Sequence, residues 1–359
     1  LEAYPILEWL YLFPGLFIYI GIFINIALCS IQDINNISHF GRLLPWAFFL
    51  AIPGLVRFNL LNKNSLWKHF FYYMLIVIVT SIIEYYFLLF DISRLHRIET
   101  PNGDFLAGFF SIFYELNNGD IHQILYGPFW EPGTLAMFIL PAIAYAFFEK
   151  KYFSLLIFVI GIGLTNSLGG IIGVCMLLPC CVFFMSGLRR KAPLFFGFLA
   201  SIALVFFLSG GIVEKFEGKM LSREAREFSL FGFMDNLPVL MLEYPLGMPL
   251  SYAANGSNVE KGYFGSNFTP ANVFYLGGIL SLFGYLSVLA ISLRYAINLC
   301  FCKILSAEEK TIGASIFCLI PFIFQRETIW DSGVFAFLFS PFIILYILNK
   351  KINLGHPHD

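Results

Sequence analysis

Two arginines, Arg223 and Arg226, stand three residues apart in a long polar stretch between apolar segments. In a helix this spacing places both side chains on one face, and Ser222 before them is a suitable N-cap. Paired guanidinium groups form a fork that suits phosphate or diphosphate oxygens. The alternative interpretation is a solvated face on which Glu224 and Glu227 are local ion-pair partners.

Two carboxylates could act beside such an anion site. Glu131 directly precedes Pro132 at the start of an apolar segment, where a helix dipole favours a negative charge. It could act as a general base toward a hydroxyl, or it could simply begin the helix. Glu243 opens the run Glu243-Tyr244-Pro245-Leu246-Gly247 after the arginine stretch, although such a run is also typical of a solvated turn.

Three further residues are weaker candidates. Arg326 lies in the last polar interval between apolar segments and could complete a cationic cluster, or it could pair with Glu327 or Asp331. Glu84 lies near one end of its apolar segment and could face a cavity. His122 lies in a polar stretch and could be a base or a solvated side chain.

The elements that must position these residues are membrane-spanning helices. The chain is 58% hydrophobic and only 13% charged, whereas a soluble domain has about 25% charged residues. Segments of roughly 17–25 apolar residues recur along the whole length. We therefore predict an all-α, polytopic transmembrane helical bundle of about ten spans that forms a single membrane-embedded domain over residues 1–359. The predicted spans are 9–29, 43–60, 70–90, 131–148, 152–165, 169–187, 192–209, 271–297, 311–324 and 332–348.

The distribution of basic residues predicts the orientation of these spans. Short loops that are rich in lysine and arginine and almost free of acids are expected on the cytoplasmic side. This assignment puts both chain ends inside and two large loops, 91–130 and 210–270, outside. The run Thr165-Asn166-Ser167-Leu168-Gly169-Gly170 is a cluster of turn residues, so we predict two spans with a tight turn at the outer face instead of one long helix.

Several sequence motifs are absent, and their absence limits the cofactors and substrates that the chain could bind. The sequence has no P-loop and no GxGxxG, so nothing indicates a bound nucleotide or nucleic acid. It has no Asp-x-Asp and no His/Glu cluster with zinc spacing, so we predict no metal and no cofactor. If the arginines bind a phosphate group on the outer side, the donor substrate that carries this group should be available outside the cytoplasm. A lipid-linked diphosphate satisfies this condition, because its head group lies at the outer surface.

Several runs resemble a known family when they are taken in order. Phe129-Trp130-Glu131-Pro132-Gly133 resembles the "EP" helix start of O-antigen and capsule repeat-unit polymerases, and Leu164 to Gly170 is similar to their "LTxSxGG" turn. A large external loop with paired arginines follows, then Glu243 to Gly247, then Asn272 to Gly278 at the next span. This order is the layout of the polymerase and O-antigen ligase superfamily, and it covers roughly residues 125–285.

The resemblance implies a metal-independent membrane glycosyltransferase of the C-type, all-helical architecture in the bacterial inner membrane, with a periplasmic active face. Such polymerases of polysaccharide and lipopolysaccharide biosynthesis transfer a growing glycan from undecaprenyl diphosphate to the non-reducing end sugar of another lipid-linked unit. A polysaccharide chain-length regulator is a possible partner. The resemblance implies that Arg223, Arg226 and Arg326 bind the diphosphate. The catalytic residues would be Glu131, Arg223, Arg226 and Glu243.

The sequence also departs from this family. Many O-antigen ligases carry a histidine in the large external loop, but no histidine occurs between residues 123 and 355, which argues for a polymerase. Many relatives have basic residues where this chain has Leu168 and Gly127-Pro128, so the base could be Glu131, Glu243 or His122. The alternatives are an O-antigen ligase that transfers glycan to lipid A core, a transporter or flippase for the lipid-linked oligosaccharide, and a scaffold without enzymatic activity.

Overall fold

A computed structural model describes residues 4–32, 40–41, 43–44, 47, 51, 63–88, 96–100, 103–114, 124–129, 132–185, 233–249, 269–301 and 305–325. The predicted spans 192–209 and 332–348 lie outside the described residues, and the predicted span 43–60 lies almost wholly outside them. The other predicted spans coincide with helices, whose ends differ by up to several residues from the prediction.

The described elements follow one another as long helices with one small sheet between the second and third. The helices are α1 (Tyr4–Gln32), α2 (Lys63–Leu88), α3 (Pro132–Phe148), α4 (Tyr152–Leu164), α5 (Leu168–Met185), α6 (233–243), α7 (Thr269–Phe301) and α8 (Ala307–Gln325). The strands are β1 (His96–Thr100), β2 (Gly103–Ala107) and β3 (Ile112–Tyr114).

Three of these helices are long and apolar enough to cross a membrane, at Phe13–Gln32 in α1, Trp67–Tyr86 in α2 and Thr269–Leu299 in α7. Three shorter apolar helices, Pro132–Phe148, Tyr152–Leu164 and Gly173–Phe184, accompany them. A helix that crosses the hydrocarbon core needs about 20 apolar residues. The described part of the chain is thus mostly helical and has the character of a membrane protein, and the full count of ten spans stays a prediction.

The contacts between Cα atoms divide the chain into two compact units, and the single membrane-embedded domain over residues 1–359 stays a prediction. The first, which we name the α1–α7 unit, contains α1, α6 and α7 as far as Tyr295. The second, which we name the α3 unit, contains α2, the sheet, α3, α4, α5 and α8 as far as Leu319. Each unit is described by itself.

Helix α3 forms the centre of the α3 unit, because its side chains are buried on every face from Gly133 to Ala146 apart from Phe138. Rings from its neighbours close around it near its C-terminal end. Phe71 of α2 lies 5.3 Å from Tyr145 and 5.7 Å from Phe158 of α4, measured between ring centroids. A helix with an apolar surface all round is expected in such a central position.

Helix α8 packs against α5 in the same unit. It begins with a capping box, in which the Ser306 hydroxyl accepts from the Glu309 N–H at 3.2 Å and the Glu309 carboxylate accepts from the Ser306 N–H at 2.9 Å. Further along, the Cys318 thiol donates to the Gly173 carbonyl of α5. Gly313 faces the ring of Phe184, which leaves no room for a larger side chain there.

The β-sheet is an addition to the all-α prediction. Its order is β1-β2-β3 and both pairs are antiparallel, with His96 opposite Ala107 and Phe105 opposite Tyr114. It falls within the segment 91–130 that the sequence predicts to be an external loop. Leu106 and Phe113 lie opposite each other on one face and are both buried, and Phe105 is buried on the other face.

Candidate functional site

Only one of the five residues in the predicted catalytic and diphosphate sites is described. Glu131, Arg223, Arg226 and Arg326 lie outside the described residues. Glu243 is the last residue of α6, and its side chain is exposed. The structure therefore shows the surroundings of Glu243–Gly247, of the turn at Leu164–Gly170 and of Asn272–Gly278. The diphosphate site at the arginine pair stays a prediction.

Helix α6 is held in place by an apolar cluster. Phe233 and Leu240 of α6 are buried and join Phe274 and Tyr275 of α7 in this cluster. The ring of Phe233 lies 6.0 Å from each of those two rings. Other positions of α6 face outward, including Leu242, which is 84% exposed. The buried contacts of Phe233 and Leu240 thus fix α6, and the exposed Glu243 side chain lies at its C-terminal end.

Residues 245–248, at the end of the Glu243–Gly247 run, pair with residues 275–279 of α7 through backbone hydrogen bonds. The Met248 N–H donates to the Tyr275 carbonyl at 2.7 Å, and the Ile279 N–H donates to the Pro245 carbonyl at 3.0 Å. The Gly247 N–H donates to the Tyr244 carbonyl at 3.1 Å and closes a turn between these two contacts. Two runs that the sequence identifies separately are therefore neighbours in the α1–α7 unit.

Helix α7 is broken at this contact. Gly278 has φ 63° and ψ −155°, which is a conformation almost confined to glycine. A Cβ atom at Gly278 would overlap the Pro245 carbonyl oxygen. The paired run also turns through a glycine, because Gly247 has φ 98°. Glycine at both positions is what allows the two backbones to approach this closely.

The polar groups that the break releases are satisfied by protein. The Asn25 side chain of α1 donates to the Leu276 carbonyl at 2.8 Å and to the Met248 carbonyl at 3.0 Å, while the Tyr275 carbonyl accepts from Met248. Irregular backbone at membrane depth persists only where protein or a water-filled cavity satisfies it. The buried Asn25 amide therefore acts as a clamp that holds the Pro245–Met248 run against α7.

Small residues let α1 approach α7 closely enough for this clamp. Added Cβ atoms at Gly277 and Gly284 would meet the backbone of α1. Between them, the Ser281 hydroxyl donates to the Ile18 carbonyl at 3.1 Å. A row of small residues with an interhelical hydrogen bond is a common way for spans to associate, since the hydrophobic effect does not drive association within lipid.

The second family-like region lies in the α3 unit, at the turn between α4 and α5. The structure confirms the predicted division into two helices. The Thr165 hydroxyl accepts from the Ser167 N–H at 3.3 Å, and the Ser167 hydroxyl accepts from the Gly170 N–H at 3.3 Å, which caps α5. Asn166 has φ 45°, a conformation that asparagine tolerates better than most residues.

The same turn supports the segment before α3. The Leu125 N–H donates to the Leu164 carbonyl at 2.9 Å, and the Gly127 carbonyl accepts from Ile112 of β3 at 2.8 Å. A Cβ atom at Gly170 would approach that of Ala136 at 2.8 Å, so this glycine permits close packing of α5 on α3. The "LTxSxGG"-like turn is thus packed against α3 and against the segment 124–129, whereas Trp130 and Glu131 of the "EP"-like run lie outside the described residues.

We expect Ser167→Ala to destabilise the α3 unit by about 1 kcal/mol, the usual effect of removing an N-cap oxygen. Ser167→Thr keeps a neutral hydroxyl acceptor at this buried position and should restore most of the loss. The measurement is reversible unfolding in mixed detergent micelles, followed by near-UV circular dichroism. Equal stability of Ser167→Ala and the native protein would show that the cap contributes nothing.

Glu84 has a role that sequence reasoning did not foresee. Its two carboxylate oxygens accept from the Phe109 and Phe110 N–H groups at 2.5 and 2.8 Å. The sequence suggested that Glu84 could face a cavity, but its observed partners are backbone groups of the loop between β2 and β3. Nothing in the local sequence signals this contact, because the partners are some twenty-five residues away.

Within the described ranges, no group of three or more His, Cys, Asp or Glu side chains could hold a metal ion. Comparisons with protein-family models, with curated proteins and with solved structures found no match to this chain. The three helices that are long and apolar enough to span a membrane, the break in α7 and the sheet beside α2 define the class of the described residues, a helical membrane protein with a broken span.

Proposed function

We propose that the chain is a membrane glycosyltransferase that polymerises lipid-linked oligosaccharide repeat units at the outer face of the bacterial inner membrane. The observation that carries this proposal is the pairing of the Glu243–Gly247 run with residues 275–279 of α7. These two runs follow the large external loop in the repeat-unit polymerases that the sequence resembles. The packing of the "LTxSxGG"-like turn against α3 supports the same assignment.

The proposed reaction is a direct displacement at the anomeric carbon of the growing glycan. A hydroxyl oxygen of the acceptor sugar forms the new bond to that carbon, and the bond from the carbon to the undecaprenyl diphosphate oxygen breaks. The acceptor proton passes to a carboxylate, which is Glu131 or Glu243. Arg223 and Arg226, with Arg326, stabilise the negative charge that develops on the departing diphosphate. This scheme uses no metal and no cofactor.

Glu243 suits this role because it is exposed while its helix is anchored. Phe233 and Leu240 hold α6 through buried contacts, and the residues after Glu243 are hydrogen-bonded to α7. A catalytic group is more effective when rigid elements position it. Arg223 and Arg226 stand shortly before α6 within the same predicted external loop, so a diphosphate that they bind would be held close in sequence to Glu243.

The transporter alternative is favoured by one observation, the break in α7. Discontinuous spans form substrate and ion sites in many transporters, because their unwound carbonyls are available to a ligand. Here the Tyr275 and Leu276 carbonyls are already occupied by Met248 and Asn25. The break therefore fits a role in attaching the Pro245–Met248 run to α7 better than it fits a transport site.

The test is polymer formation by the purified protein in lipid vesicles that contain its cognate undecaprenyl-diphosphate-linked repeat unit. The native protein should produce a ladder on a gel, and Arg223→Ala/Arg226→Ala should lower its rate by on the order of a hundredfold or more. The matched control is Lys215→Ala/Lys219→Ala, which removes the same charge from the same loop.

Each other outcome has a definite meaning. An unchanged ladder from the arginine double variant would keep the polymerase and discard the diphosphate site. Equal loss in the arginine and lysine variants would point to the general charge of the loop. No ladder from the folded native protein would reject the polymerase, and glycan on added lipid A core would then identify a ligase. Glu131→Gln and Glu243→Gln separate the two candidate bases, since only the base should show a large loss.

A further inference from the structure

The loop between β2 and β3 carries two aromatic side chains that project from the protein. Phe109 is 95% exposed and Phe110 is 55% exposed. Turns at the surface of a protein usually hold polar residues, glycine or proline. Two adjacent exposed phenylalanines form an apolar patch, and exposed apolar patches are typical of surfaces that contact another protein, a ligand or a membrane. We name Phe109 and Phe110 the aromatic tip.

Glu84 fixes the aromatic tip to α2. Both of its carboxylate oxygens accept from the tip, one from Phe109 and one from Phe110. Hydrogen bonds to a charged acceptor are about twice as strong as neutral ones. The neighbouring Gly108 leaves space for the carboxylate, since a Cβ atom there would overlap it. The tip consequently cannot move independently of this end of α2.

The position of Glu84 sets the depth of the aromatic tip in the membrane. Glu84 lies in the last turn of the stretch Trp67–Tyr86, which is long and apolar enough to cross a bilayer. Ile83 and Tyr86 beside it are each 49% exposed. Tyrosine is enriched where a span passes from hydrocarbon to head groups. The tip is therefore held level with the end of a span.

We propose that the aromatic tip inserts into the interfacial region of the bilayer leaflet at this end of α2. Its partners are the head groups and upper acyl chains of lipids, and Glu84 is the positioning residue. The sheet then reaches the membrane surface through the β2–β3 loop, in addition to its attachment to the helices. This inference needs only a membrane around α2 and holds whether or not the chain is a glycosyltransferase.

The test replaces Phe109 with the photoreactive analogue p-benzoylphenylalanine in the full chain. The protein is reconstituted into vesicles of phosphatidylethanolamine and phosphatidylglycerol, illuminated, and examined by intact-protein mass spectrometry. We expect an adduct with the mass of one lipid. Its yield should be comparable with that of the same analogue at Ile76, a 63% exposed position in the middle of α2. It should be several-fold above the yield at Glu149, an exposed residue in the turn after α3.

Two results would overturn the proposal. One is a lipid yield at position 109 no higher than at Glu149 when Ile76 reacts normally. The other is a main product with the mass of two protein chains, which would make the tip a contact between copies. Adding Glu84→Ala should lower the lipid yield at position 109 several-fold and leave that at Ile76 unchanged. Equal yields with and without Glu84 would show that the carboxylate does not position the tip.

Discussion

Replacing Gly278 by alanine should destabilise the α1–α7 unit by about 3 kcal/mol or more. Part of this is the backbone strain of a non-glycine residue at φ 63° and ψ −155°, roughly 1–3 kcal/mol. The rest comes from the overlap of the new Cβ atom with the Pro245 carbonyl oxygen. Relief of this overlap requires the Pro245–Met248 run to leave α7, which breaks the hydrogen bonds from Met248 and Ile279.

Hydrogen exchange measures this effect at the place where it arises. In Gly278→Ala the amides of Met248 and Ile279 should lose protection, because they are the donors across the break. The matched control is Gly163→Ala in α4, where an added Cβ atom meets nothing within 4 Å. That substitution should be neutral or stabilise the helix by about 0.5–1 kcal/mol. Native protection at both amides in Gly278→Ala would contradict the structure of the break.

Removing the Asn25 amide should be almost as damaging. Asn25 is 3% exposed and donates to both Met248 and Leu276. Asn25→Ala leaves two carbonyl groups without these donors, at about 1–3 kcal/mol for each unsatisfied group. Asn25→Asp is nearly isosteric but places an oxygen where the amide donated, so it should be at least as destabilising. The readout is reversible unfolding in mixed micelles.

The control for this prediction is Leu28→Ala on the same helix. Leu28 is 45% exposed, so its truncation should change the free energy of unfolding by less than about 1 kcal/mol. If Asn25→Ala were no more destabilising than Leu28→Ala, the carbonyls of Met248 and Leu276 would have other partners. The clamp assigned to Asn25 would then be wrong. If Asn25→Asp matched the native protein, the amide would not be the donor.

The features that the sequence predicts well are those that depend on nearby residues. The turn between α4 and α5 is an example, since Thr165, Asn166 and Ser167 supply their own hydrogen bonds and backbone conformation within a few residues. The apolar character of α1, α2 and α7 is equally local, because hydropathy alone determines it. For the same reason, the start of α3 at Pro132 lies one residue from the predicted start.

The features that the sequence does not reveal depend on partners far along the chain. Gly277 and Gly278 lie within an apolar run that predicts one continuous span, and the break becomes evident only beside Pro245 and Asn25. The strands β1 to β3 are short and lie in a polar stretch, so the local sequence does not predict them. They form because they pair with one another. The candidate site shows the same limit, because spacing predicts an arginine pair without saying which groups surround it.

The Asn25 clamp has a consequence for how the chain is made. Asn25 and Leu276 are separated by 251 positions, and synthesis proceeds at about 5–20 residues per second. Helix α1 therefore resides in the bilayer for roughly ten seconds to a minute before α7 is available. During that interval the Asn25 amide needs a substitute partner, such as water, lipid or an insertion factor. The α1–α7 unit therefore cannot complete its packing until α7 has been synthesised, long after α1.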